Sequence, residues 1–183
     1  MKKLILLLIL TVFIACCNKD DNKPIAEIDK LPQATQIGAN KAGCLVNGIA
    51  FLPKGYFVTG NLNCVYQDQL NFSLAIVERL IEGSKDQLRS INIASLNQNL
   101  VENQTYLLKE SGLNDSKYAE YTFSNEQMFS EVNYSTTSTI TGELKITHHD
   151  YINAIISGTF WFDAINSEGT KVEVREGRFD MHY

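Results

Sequence analysis

After its first fifteen residues this 183-residue chain has no apolar run that could cross a bilayer, since a spanning helix needs about 20 such residues. It has no glycine-rich phosphate loop: "ENQTYLLKESG" and "INSEGTK" lack the strand–loop–helix setting that cradles phosphates. It has no nucleophile elbow, because "IASLN" around Ser95 carries none of the required glycines. Histidine is scarce, at three residues. His148 and His149 are adjacent, so on a strand they point to opposite faces, whereas a tetrahedral metal site gathers three or four ligands at one point. No metal and no cofactor is expected. Basic charge is also short, with 16 Lys and Arg against 21 Asp and Glu and a net charge of −5. That balance argues against nucleic acid and anionic lipid headgroups as partners. The acidic pairs Asp20-Asp21 and Glu173 with Glu176 read as solvated charge, not as two carboxylates held across a cleft. No catalytic residue is assigned and the chain is not read as an enzyme. The alternative is a hydrolase acting on envelope or extracellular polymer.

What is present begins at the N-terminus. Met1-Lys2-Lys3 is a short positive start, and Leu4 to Ala15 is apolar except for Thr11. That length suits a signal-peptide core. Phe13-Ile14-Ala15-Cys16 resembles a bacterial lipobox, with Phe13 where leucine is usual. The resemblance implies cleavage after Ala15 and acyl chains on Cys16, which hold a protein at a membrane through the burial of several chains. Asn18-Lys19-Asp20-Asp21-Asn22 resembles the acidic export signal of Bacteroidetes lipoproteins, which implies an address on the outer face of the outer membrane for Lys19, Asp20 and Asp21. Its alternative is a charged spacer. Loss of residues 1–15 removes two lysines and no acid, leaving 14 basic against 21 acidic side chains, a net −7. Residues 16–40 are polar, contain Pro24, Pro32 and Gly38, and read as a flexible tether. Residues 41–183 read as one domain, long enough for a real core.

The domain reads as all-β, an antiparallel meander closed as a barrel or folded as a two-sheet sandwich. Leu70, Phe72, Leu74 and Ile76 alternate with polar or small residues, as do Ile140, Leu144 and Ile146. "LAIVERLI" (74–81) also fits a helical face, but the alternation begins earlier, so a strand is expected. Ile152, Ala154, Ile156, Gly158, Phe160, Phe162 and Ala164 share one face of a long strand, with Trp161 on the other. "NSEG" (166–169) and "HHD" (148–150) read as hairpin turns. Capping-box spacing in Ser124-Asn125-Glu126-Gln127 suggests at most one short helix, over 125–131. In the last strand Val172 and Val174 share one parity, and Phe179, Met181 and Tyr183 the other. A bulge near Glu176-Gly177 would reconcile them.

"GCLVNGIAFLP", "TGELKITHHDYINAIISGTFWFDAIN" and "GTKVEVREGRFDMHY" together resemble a group of small Bacteroidetes lipoproteins of unknown function. The most specific pieces are Ser157-Gly158-Thr159-Phe160 and Gly177-Arg178-Phe179-Asp180. The resemblance implies a β fold and an outer-membrane location, and no activity. Cys44 and Cys64 are the cysteines of the domain, and in an oxidising compartment they are expected to pair as a disulfide; two separate buried thiols is the alternative. Trp161, the one tryptophan, is the candidate ligand surface if it is not packed under a loop. The expectation is therefore a lipid-anchored, non-catalytic β-sheet binding module. A carbohydrate, a peptide or an envelope protein would be its partner.

Overall fold

The structure is a computed structural model that describes residues 24–112, 115–125 and 130–183. Among the described residues a 3-10 turn (Glu27–Lys30) precedes eleven strands: β1 (Lys41–Val46), β2 (Ile49–Phe51), β3 (Leu62–Gln67), β4 (Asn71–Glu82), β5 (Lys85–Leu96), β6 (Thr105–Leu108), β7 (Lys117–Asn125), β8 (Ser130–Ser135), β9 (Gly142–Asp150), β10 (Ile155–Ile165) and β11 (Lys171–His182). All strand pairs are antiparallel. β10 is the branch point. It pairs β11 on one edge and β9 along the other, and its pairing with β8 is limited to Ile165 and Ser135. The chain folds over there into two layers, β2-β1-β11-β10-β9-β6 and β8-β7-β5-β4-β3. The sheet does not close on itself, so the architecture is a sandwich and not a barrel.

Alternation accounts for the core. Phe72, Leu74 and Ile76 of β4, Ile91 and Ile93 of β5, Leu144 and Ile146 of β9, and Ile156, Phe160 and Phe162 of β10 are all buried. Each such side chain contributes about 1.5–3 kcal/mol over its exposed state. The layers meet through aromatic contacts, Phe51 with Tyr121 and Phe72 with Phe179. At the edge of the core Arg89 pairs with Glu78 and lies 5.6 Å over the Phe51 ring. "LAIVERLI" is strand, within the long β4–β5 hairpin.

Three local expectations change. "HHD" is not a turn: His148 and His149 lie in β9, and the turn follows, over 151–154. Asp150 explains the shift. Its carboxylate accepts from the backbone N–H of Ile152 and Asn153 and from the Asn153 side chain, which bends the chain one step later. Ile152 therefore sits at a turn tip, 94% exposed, and is not part of the β10 core face. The helix expected over 125–131 is replaced at both flanks by paired strand, Asn125 opposite Ser130, and residues 126–129 lie outside the described residues.

The third change concerns the expected tether. Glu27 accepts from the Ala50 backbone N–H at the edge of β2, and Leu31 is buried. Thr35, Ile37, Gly38 and Ala39 all donate to one carboxylate, that of Asp180 in β11. Residues 27–39 thus form a strap laid across the outer face of the first layer, and the tether reading does not hold for them.

Candidate functional site

The site starts from strand register. Period-two alternation sends Thr159 and Trp161 of β10 to the outer face, opposite Phe160 and Phe162. Two rows of side chains then cross the layer. Thr105, Lys145, Thr159 and Arg178 align across β6, β9, β10 and β11. Beside them Leu107, Glu143 and Trp161 align across β6, β9 and β10.

The second row ends at a bulge. Phe160 pairs with Gly177 and Phe162 with Val174, so Arg175 and Glu176 both oppose Trp161. The irregularity expected from parity is at the expected place. Glu176 takes the left-handed backbone, with φ 55°, whereas Gly177 is not in that region. Gly177 is required for space: a Cβ there would come within 2.4 Å of the Phe160 ring. The extra residue aims Arg175 at the indole, its guanidinium 5.5 Å over the ring, a geometry in which cation and ring attract. Arg175 is also held by Asp163 at 2.6 Å and by the Phe162 and Val174 carbonyls. On the other side Trp161 Nε1–H donates to Glu143 Oε2 at 3.2 Å.

The first row, with Glu143 and Trp161 of the second, lines a groove of about 570 Å³, walled on one side by Ala34 of the strap. Arg178 ties floor to wall through the Pro32 carbonyl at 3.5 Å and sits 3.7 Å from Glu176. A smaller recess of about 250 Å³ continues under the strap at Thr35 and Gln36.

The strap itself is fixed by Asp180, which is 2% exposed. Its carboxylate accepts from Thr35 Oγ1 at 2.6 Å, from Gly38 N–H at 2.8 Å and from Ser157 Oγ at 2.8 Å, with the Ile37 and Ala39 amides at 3.1 Å. Burial alone would raise its pKa. The donors from Thr35, Ala39, Ser157 and Ile37 outweigh burial and hold it at about 2. Gly38 is committed to this arrangement twice, by its φ of +70° and by the His182 ring 2.4 Å from where its Cβ would be.

Of the residues singled out in the sequence, Trp161 is 37% exposed and lines the groove, so it is not packed under a loop. Cys16, Lys19, Asp20 and Asp21 lie outside the described residues. The Cys44–Cys64 disulfide is not formed; both are free thiols. They belong to different layers, Cys44 on β1 opposite Phe51 and Cys64 on β3 opposite Leu74. Burial pushes both thiols up, that of Cys64 to about 12. The two histidines have separate partners, His148 with Glu102 and His149 with the Leu100 carbonyl and Tyr183. Among the described residues no three His, Cys, Asp or Glu side chains gather as a metal site.

Lys145, Glu143, Arg175 and Asp180 were not singled out in the sequence. A signal for the last was there. Ser157-Gly158-Thr159-Phe160 and Gly177-Arg178-Phe179-Asp180 are register partners, Ser157 with Asp180, Gly158 with Phe179, Thr159 with Arg178 and Phe160 with Gly177. In both inner pairs a glycine leaves room for the ring opposite.

Residues 80–181 match the model of a family described as a domain of unknown function, DUF6252. The match runs from within β4 to within β11, and so takes in both groove rows and Asp180 but not the strap. No curated protein and no solved structure matches the chain.

Proposed function

We propose that this chain, which belongs to the DUF6252 family, is a non-catalytic binding module carried on the outer membrane surface by a lipid on Cys16, with the Trp161 groove as its ligand surface. The observation that carries the binding reading is the placement of the one tryptophan. An indole 37% exposed, on the outer face of a central strand and at the edge of a groove, is held in position by Glu143 and Arg175. An aromatic ring fixed in this way presents a large contact area at little entropic cost. The groove carboxylates, Glu143 and Glu176, are solvent-exposed and engaged by Trp161 and Arg178. This suits recognition better than proton transfer in an enclosed cleft.

The anchor reading rests on sequence. The short apolar run, the lipobox-like Phe13-Ile14-Ala15-Cys16 and the charged Lys19-Asp20-Asp21 support a Bacteroidetes lipoprotein facing outward. The strap begins a few residues beyond, so anchor and groove wall belong to one continuous segment. Two experiments test the two halves. Membrane fractionation with protease shaving of intact cells should find wild type surface-exposed and Cys16→Ala soluble; a membrane-bound Cys16→Ala removes the anchor assignment. Affinity electrophoresis through gels carrying candidate polysaccharides should retard wild type and not Trp161→Ala. Equal retardation of the two removes the groove.

A further inference from the structure

The charged groups of the groove are not equally occupied. Arg175 is bound by Asp163, Glu143 receives the Trp161 indole, and Arg178 is engaged by Glu176 and the Pro32 carbonyl. Lys145 stands apart. Its ammonium is exposed at the middle of the first row, and among the described residues no ion pair holds it. Thr105 and Thr159 flank it across the strands, and their hydroxyls are likewise exposed. One face of the groove is therefore aromatic, and the other is a polar row in which Arg178 is engaged and Lys145 is the cation that no ion pair holds. Neighbouring strands lie about 4.8 Å apart, so the row from Thr105 to Arg178 is about 14 Å long and suits an extended ligand.

Resting on the groove reading above, we propose that the ligand is a carboxylated saccharide, its ring face on Trp161 and its carboxylate on Lys145. A pyranose has an apolar C–H face for the indole and hydroxyls for Thr105, Thr159 and Glu143. A single carboxylate balances a single ammonium in a charge-assisted hydrogen bond. A phosphate dianion fits less well, because Glu143 and Glu176 border the same groove. A polyanion such as nucleic acid is opposed by the chain's own negative charge.

The single tryptophan makes the test site-specific. The full chain in mild detergent is titrated with galacturonate, glucuronate and sialic-acid-terminated oligomers, with their neutral counterparts, and with a peptide bearing a free C-terminal carboxylate. Trp161 emission and calorimetric heat are both recorded. At least one acidic oligomer should shift the emission and bind about tenfold more tightly than its neutral counterpart, the worth of one charge-assisted contact. Lys145→Gln, with an unchanged melting temperature, should abolish that difference, and added salt should weaken the acidic oligomer selectively. Neutral oligomers binding equally well, or an indifferent Lys145→Gln, overturn the acidic class and leave the groove standing. Peptide binding without oligosaccharide binding overturns the saccharide. Oligomer heat without any change in Trp161 emission overturns the groove as well, and silence from every probe in both readouts overturns the proposal.

Discussion

The carboxylate of Asp180 accepts a 2.6 Å hydrogen bond from the hydroxyl of Thr35, 145 residues earlier in the chain. Through this contact and the amides beside it, the N-terminal strap becomes the wall of the groove. Replacing Asp180 with alanine leaves the Ile37, Gly38 and Ala39 amides and the Ser157 hydroxyl without their acceptor. A loss of about 3 kcal/mol is expected, since buried donors without partners are costly. Hydrogen exchange at residues 37–39 checks the cause: it should accelerate far more than exchange in β5, and uniform acceleration would mean that no strap is held locally.

The same carboxylate sets an acid limit. Its folded pKa of about 2 lies below the ordinary aspartate value of 3.8. Its contribution is therefore complete above the unfolded pKa and is lost as pH falls from about 3.8 to about 2, amounting to about 2 kcal/mol. His149 acts higher. Burial lowers its pKa from 6.5, so the folded state favours the neutral ring and stability starts to decline below that value. Denaturant midpoints measured against pH should show both stretches, and Asp180→Asn should shrink only the lower one, because Glu27, Asp86 and Asp150 are also lowered by their hydrogen bonds.

At the bulge Glu176 takes the left-handed backbone and Gly177 leaves the space that the Phe160 ring fills. Gly177→Val drives a side chain into the Phe160 ring and should cost about 2 kcal/mol through overpacking. Glu176→Gly relieves a left-handed backbone and should leave the melting temperature equal or higher. Lys171→Ala, at the exposed start of β11, should change little. Thermal melts of the three variants decide, and a Gly177→Val protein as stable as Lys171→Ala contradicts the packing account.

The thiols are expected to behave as core groups. Alkylation of native protein without reductant should be slow at both Cys44 and Cys64, because burial keeps them protonated. Alkylation in denaturant, still without reductant, should label both. Unlabelled cysteines under those conditions would show a disulfide after all.

Much of the fold was legible because alternation is a strong signal where one face is buried. Phe72, Leu74 and Ile76 identified β4, and the switch of parity from Val174 to Phe179 located the bulge. The strap was not legible. Asp180 is held largely through backbone N–H groups at Ile37, Gly38 and Ala39, and amides leave no mark on side-chain pattern. The free thiols were hidden for a different reason, since count and compartment suggest pairing but carry no information on whether β1 and β3 bring the two side chains into bonding geometry. Trp161 could be assigned to a face by parity. Its neighbours Lys145, Arg175 and Glu143 come from other strands, and register across strands is not written in any one of them.

The most direct test of the Trp161 groove as the ligand surface is a nitrogen–proton NMR titration, in which the one tryptophan gives one indole N–H resonance. On addition of the bound oligosaccharide, that resonance and the amides of Thr105, Lys145 and Thr159 should move together, while the Tyr66–Tyr183 cluster at the other end of β11 stays still. An indole signal that does not move while amides elsewhere do would contradict the account.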